Sequence, residues 1–262
     1  MTSTEAILLL RLAGPLQSWG GTSDHNRRET RPQPTKSGVL GLLAAAAGRH
    51  RGEPISDLVG LRMGIRVDQP GSLLRDYHTA SDYRGRPLLS SQVNAQARQK
   101  GTSPAKHTHV TQRFYLQDAV FVAALQGPVE LVDGLESAVR NPAFPLALGR
   151  RSCPPSHPLV LGVRQGTQGS DLEQALRSVQ WQAAEHERRA AVGPHIRLAA
   201  TIEDPAGDDT ATDVPLAFDF RAGGRLVTRH VRHTWLTIDT GQKARTPRDQ
   251  VDGEHDPFEL LG

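Results

Sequence analysis

Between Asp82 and Asp118 the chain carries no acidic residue. Residues 83–117 hold Arg84, Arg86, Arg98, Lys100, Lys106 and Arg113, a charge of +6 over 35 positions before His107 and His109 are counted. The interior of this stretch is mostly Ser, Thr, Gln, Asn and Gly. Like charges along one segment repel, and so polar a segment buries too little surface to offset its ordering entropy. It therefore reads as a long projecting hairpin or partly ordered arm, not as part of a core. The fold has to be built from what flanks it.

The flanks carry clear periodicities. Residues 7–12 form a short, nearly continuous apolar run, the pattern of a buried strand, and Gly14-Pro15 ends it. A polar loop follows over 18–34, with Arg27, Arg28 and Arg31. Thr35-Lys36-Ser37 then leads into an Ala/Leu body that stops at Gly48, which has the cap, body and stop of a helix. Residues 61–68 alternate as a half-exposed strand does, and 73–78 continue extended after a Pro70-Gly71 turn. After the arm come an apolar strand at 119–125 and a helix at 129–139 with Leu131, Leu135 and Val139 on one face. A strand is expected at 159–163 and a short helix at 171–179, started by Ser170 and Asp171. Beyond it the chain reads as acidic and loop-like, notably at 203–213, before two late strands at 216–221 and 225–239 and a polar tail at 241–262.

Strand, helix, strand, arm, strand, helix, strand is the order of a split βαβ unit. The expected fold is α+β: a ferredoxin-like, RNA-recognition-like domain over 1–163 with a thumb at about 76–115, and a smaller β-rich C-terminal region over 164–240.

Charge separates the two halves. Residues 1–151 carry 19 Lys and Arg against 12 Asp and Glu, a net of +7; residues 152–262 carry 12 against 16, a net of −4. The basic half suggests a polyanionic partner. One cysteine, Cys153, excludes an intrachain disulfide and a Cys-rich zinc module, and a single thiol fits a reducing cytoplasm. The apolar run at 6–10 is closed by Arg11, too short for a signal peptide or a span of about 20 residues. A soluble, cytoplasmic protein without membrane contact is expected.

Several catalytic templates are absent. Thr35-Lys36-Ser37-Gly38 has no preceding glycines and is no Walker loop, and neither a Rossmann fingerprint nor Gly-x-Ser-x-Gly occurs. His107 and His109 lack nearby carboxylates, so no metal and no cofactor are expected. Cys153 follows Arg150-Arg151, which would lower a thiol pKa, and His157 is near in sequence; a small buried thiol in a Cys-Pro-Pro turn is the preferred reading. An endoribonuclease using Lys106, His107 and Tyr115 or His78 is the alternative to pure binding. Positive evidence points to phosphate: Lys36 and Ser37 stand at a helix N-terminus, which favours an anion. Arg27, Arg28 and Arg31 precede it, and Arg150-Arg151 follows a glycine. Tyr77, Tyr83, Phe114 and Tyr115 lie in or beside the arm and are placed to stack on bases, with one of Phe114 and Tyr115 facing the core.

Five ordered stretches carry a resemblance: LLLRLAGPLQSWG, PTKSGVLGLLAAAAG, LLRDYHTA followed by DYRG, RFYLQDAVFVAAL, and LGRRSCPPSHPLVLG. Together they resemble the CasD family, the fifth-family Cas subunits of the type I-E CRISPR surveillance complex, Cascade. The matches span 8–162, with a weaker echo at 230–237. The resemblance implies a ferredoxin-like domain with a protruding thumb, present once per complex and capping its helical backbone. It implies a non-catalytic subunit that holds the 5′ handle of the crRNA. Its partners would be the backbone subunits and the large PAM-recognising subunit, with target DNA met indirectly. In this subtype a separate subunit cleaves the precursor RNA. Charge and resemblance together make Arg27, Arg28, Arg31, Lys36, Ser37, Arg75, His78, Arg84, Arg86, Lys106, Arg113, Tyr115, Arg150 and Arg151 the candidate RNA-binding residues.

Overall fold

The computed structural model describes residues 5–20, 26–82, 107–166, 171–219 and 225–241. In chain order these form β1 (Glu5–Ala13), β2 (Leu16–Gln17), β3 (Arg27–Arg28), α1 (Lys36–Ala46), α2 (Ser56–Val59), β4 (Arg62–Gln69), β5 (Ser72–Asp82), β6 (His107–Gln117), β7 (Val120–Pro128) and α3 (Val129–Arg140). The chain continues through β8 (Val160–Gly166), α4 (Leu172–Ser178), α5 (Glu185–Ala190), β9 (His195–Glu203), β10 (Asp209–Pro215) and β11 (Leu226–Asp239). It is a mixed α+β protein with a large antiparallel sheet.

That sheet has the order β10-β11-β9-β4-β7-β1-β8. β1 lies inside it, antiparallel to β7 and β8. Side chains alternate across a strand, so its apolar run feeds two layers. Leu8, Leu10 and Leu12 join the core with α1 and α3, while Ile7 and Leu9 join the core with Leu172 and Leu176 of α4. A continuous apolar run is what a strand covered on both faces requires. Each fully buried leucine contributes roughly 1.5–3 kcal/mol. Helix α3 buries Val132, Leu135 and Val139, spaced to fall on one stripe. Helix α1 buries Val39, Leu40, Leu42 and Leu43, so it sits in the core rather than on it. Thr35 caps it by accepting from the Gly38 amide, and Gly48 with φ of 75° lies just past its end.

The C-terminal strands extend the same sheet, because β9 pairs with β4 through Gly64↔Ile202, Ile65↔Thr201 and Arg66↔Ala200. The expected boundary at 163/164 falls inside β8. Buried Arg66 helps fasten the two regions: it pairs with Asp68 at 2.7 Å and donates to the carbonyls of Leu176, Val179 and Gln180 at the end of α4. Two expectations fail here. Residues 203–213, read as loop, contain the end of β9 and most of β10, whose Asp209, Thr210 and Thr212 remain exposed or half-exposed on the outermost strand. Of the strand expected at 216–221, residues 216–219 are outside any strand. Residues 242–262 of the tail and 83–106 of the arm lie outside the described residues, while 107–117 of the arm form β6. Among the described residues no helix is long and apolar enough to cross a membrane.

A second, smaller sheet stands beside the first. β6 is its spine, pairing antiparallel with β5 from Ser72↔Gln117 to Asp82↔His107, antiparallel with β2, and parallel with β3.

Candidate nucleic-acid interface

Gln17 and Trp19 root the small sheet in the domain. Gln17 Nε2 donates to the carbonyls of Leu12 and Ala119, at 3.0 and 2.7 Å, and Trp19 Nε1 donates to Gln17 Oε1. Buried Trp19 lies against Gly38, where an added Cβ would come within 2.7 Å of the indole. Ser18 ties in a third segment: its amide donates to the Leu148 carbonyl and its Oγ to the Phe114 carbonyl. Gly149 has φ of 88°, and a Cβ there would sit 1.8 Å from the Ser18 carbonyl oxygen. Only glycine lets this turn approach so closely.

The close approach delivers Arg150 to the small sheet. Its Nη1 donates to the Phe114 carbonyl at 3.0 Å and its Nη2 to the Arg28 carbonyl at 2.7 Å. Its guanidinium lies 4.9 Å from the Tyr115 ring centroid. Tyr115 is 5% exposed and belongs to the core, whereas Phe114 is half-buried, as one of each was expected. Buried Tyr115 is therefore a platform under Arg150 rather than an accessible acid or base.

Residues paired directly across antiparallel strands share a face. Arg75↔Phe114 and Tyr77↔Gln112 place Arg75, Tyr77 and Phe114 on one side of the small sheet. Arg27, opposite Gln112 on β3, stacks its guanidinium 5.1 Å from the Phe114 ring and pairs with Glu29 at 2.9 Å. Arg28, Arg113 and His78 fall on the other side. Arg28, Arg75, His78 and Arg151 are exposed, Arg113 is half-buried, and Tyr77 is 62% exposed. Arg31, also exposed, bridges its backbone to Trp19. The fold thus gathers Arg27, Arg28, Arg75, Arg113, Tyr115 and Arg150 on one small sheet. Arg84, Arg86 and Lys106 lie outside the described residues.

The start of α1 departs from the expectation. Lys36 is 2% exposed, and its Nζ lies 2.9 and 3.0 Å from the two Glu203 carboxylate oxygens. The Lys36 amide, a donor a helix start would offer to an anion, is already taken by Asp213 Oδ2 at 2.8 Å. Asp213 and Glu203 in turn hold Arg229, at 2.7 and 3.5 Å. Burial outweighs these carboxylates and pushes the Lys36 ammonium below the ordinary lysine range. Ser37 Oγ lies 3.3 Å from Thr35 Oγ1. The anion at this helix terminus is the protein's own, supplied by the end of β9 and by β10, whose residues 203–213 have the composition of a loop. The alternation in His195-Ile-Arg-Leu-Ala-Ala-Thr-Ile-Glu is the signal that would have found β9.

Cys153 is fully buried, and burial raises its thiol despite nearby Arg150. This is the buried thiol the sequence favours over a Cys–His pair, and His157 faces Ser156 instead, Nδ1 to Oγ at 2.9 Å.

Fold and site together define an α+β protein with a large antiparallel sheet and a small side sheet rich in arginine. The family model for "CRISPR-associated protein (Cas_Cas5)" matches residues 7–232. The chain belongs to this family of CRISPR-associated proteins. It is 35% identical over 216 residues to the CRISPR system Cascade subunit CasD of Escherichia coli strain K12, covering 75% of this chain and 87% of that protein. Among solved structures it is similar to a chain of a CRISPR RNA-guided surveillance complex, with 32% identity, a TM-score of 0.70, and coverage of 94% of this chain and 96% of the other. It is also similar to a crystal structure of a Cas protein, with 34% identity, a TM-score of 0.61, and coverage of 92% and 99%.

Proposed function

We propose that this protein is a non-catalytic subunit of a Cascade-type surveillance complex, where it holds the 5′ handle of the crRNA and caps the backbone. In this reading β1, α1, β4, β7, α3 and β8 are a ferredoxin-like unit, and β5 and β6 are the base of its thumb. Backbone subunits and the large PAM-recognising subunit are its protein partners, target DNA is met indirectly, and the complex works in the cytoplasm.

The observation that carries this reading is the small sheet's arginine set. Arg27 and Arg75 flank Phe114 on one side, and Arg28, Arg113 and Arg150 crowd the other. Arginine forks suit phosphate, and exposed rings suit unpaired bases. Lys36 has no place in this set, because its charge is spent internally.

Fluorescence anisotropy with a labelled repeat-derived RNA at several salt concentrations tests it. Each phosphate contact removed, as in Arg28→Gln or Arg151→Gln, should reduce the log–log salt slope by about 0.7. Unchanged affinity and slope in both variants, or cleavage of the RNA by the purified protein, would overturn the reading.

A further inference from the structure

Helices α1 and α3 cover one face of the large sheet, and Ile65 of β4 belongs to the core they share. Thr201 stands opposite Ile65 on β9, and His233 opposite Thr201 on β11, so all three lie on that face. Two residues on, Trp235 faces the same way opposite Ala199, and Arg197 follows on β9. Here the cover has ended: His233 and Arg197 are exposed, and Trp235 is 59% exposed. Two cavities lie along this strip. One of about 340 Å³ reaches from Arg31 and Gln33 to Thr201 and His233. The other, of about 730 Å³, opens where β9 stops pairing with β4 at Arg66↔Ala200, and Ala199, Arg197 and Trp235 line it.

The charges on the strip divide into satisfied and unsatisfied. Asp209 lies 3.1 Å from His233, and Asp213 lies 2.7 Å from Arg229. Thr201 Oγ1 lies 3.0 Å from His233 Nδ1 and donates to Gln33 Oε1 at 3.1 Å, which ties down the loop that carries Arg31. Arg31 and Arg197 are exposed and have no ion pair among the described residues. The Arg197 guanidinium instead lies over the Trp235 ring, 5.4 Å from its centroid. That contact orients the indole and leaves most of it bare. The larger cavity also holds Asp118 and Glu187, and Glu187 faces His186 at 3.8 Å.

We propose that this strip seats unpaired RNA: a base stacks on the Trp235 ring beside the larger cavity, Arg197 meets the adjoining phosphate, and Arg31 leads the strand toward the small sheet. The inference rests on the reading of this chain as an RNA-holding subunit and adds a second stretch of contact to it. Every base has a π-face, so one bare indole accepts any of them. An arginine without a carboxylate suits a phosphate, and a carboxylate such as Asp118 accepts from the amino group of a base. The larger cavity is of the size that takes small organic ligands, ample for one base. A ring already held by a guanidinium loses little freedom when the base arrives.

The protein's own tryptophans supply the test. The chain has three, and Trp19 and Trp181 are 0% and 6% exposed. Solvent and ligand therefore reach Trp235 above all. The full chain is titrated with the labelled single-stranded repeat RNA, and anisotropy and tryptophan emission are read together. Stacking should quench the emission and shield it from acrylamide, and the quench should vanish in Trp235→Leu. That variant should bind the RNA about tenfold more weakly, and Trp235→Phe, which keeps a ring, should recover part of the loss. Arg197→Gln should lower the log–log salt slope by about 0.7. Circular dichroism checks that each variant is folded, and all three change exposed side chains. RNA that binds by anisotropy without changing the emission overturns this inference and leaves the handle reading standing; a face reserved for a partner protein would give that result. A quench that survives Trp235→Leu, or unchanged affinity in both Trp235→Leu and Arg197→Gln, overturns it as well. Absence of any RNA binding overturns both readings.

Discussion

Lys36 and Glu203 are 167 residues apart in sequence, and Lys36 Nζ lies 2.9 Å from the Glu203 carboxylate. One begins the first helix and the other ends β9, so the pair joins the basic half of the chain to the acidic half. A buried pair costs most when only one partner is removed. Glu203→Gln strands the Lys36 ammonium in the interior and should cost about 3–5 kcal/mol. Lys36→Met should cost less, because Glu203 keeps the Met63 amide at 3.2 Å and Arg229 at 3.5 Å. Urea denaturation midpoints decide it; equal losses in the two variants would refute the account. Lys36→Met should also leave the salt dependence of RNA binding unchanged.

Gly149 and Gly134 should respond oppositely to alanine. At Gly149 a Cβ meets the Ser18 carbonyl oxygen and the backbone is left-handed, so Gly149→Ala should cost about 3 kcal/mol or more. Gly134 sits inside α3 with nothing within 4 Å of an added Cβ, so Gly134→Ala should stabilise by about 0.5–1 kcal/mol. Thermal unfolding of the two variants checks both signs.

The Cys153 thiol should resist modification in the folded protein. It is buried, and burial holds it above the ordinary thiol range, so little thiolate is present at neutral pH. A thiol-specific chromogenic reagent should react slowly under native conditions and rapidly in denaturant. Fast native reaction would contradict the buried placement.

Glu173 should contribute to the acid limb of stability. It lies 3.0 Å from Arg232 and 2.6 Å from Arg177, and the hydrogen bond from Arg232 chiefly holds its carboxyl below the usual carboxylate range. Because the unfolded chain takes up this proton at higher pH than the folded one, the contribution is present above the unfolded value. It is lost as pH falls through the folded value. Arg232→Gln should flatten the loss of melting temperature below about pH 4.3, the ordinary glutamate value. An unchanged slope would remove Glu173 from the account.

The elements legible in the linear chain are those whose patterns are local. Residues 7–12, apolar but for Arg11, read as a buried strand, and the structure covers that strand on both faces. The cap at Thr35, the apolar stripe of α3 and the cap at Asp171 each depend on neighbours within a turn or two; both caps stand where the pattern put them, and the stripe holds Leu135 and Val139 as expected but is fully buried at Val132 where Leu131 was expected. β10 was missed because an outermost strand with exposed Asp209 and Thr210 has the composition of a loop. Only the pairing with β11 makes it a strand.

Charge shows the same division more sharply. The count of arginines and lysines in the first 151 residues follows from composition alone, but which of them meet solvent does not. Lys36 and Arg150 look alike as basic residues beside a turn or a cap. The fold sets Glu203 and Asp213 against the first, and backbone carbonyls and the Tyr115 ring against the second. A charge is neutralised by what lies within a few ångströms in space, and Coulomb attraction takes no account of the 167 residues between. Periodicity, a property of near neighbours along the chain, determined β1, α1, β4, β7 and α3 but not the outermost strand β10. The tertiary structure alone decided which cations are left to meet a polyanion.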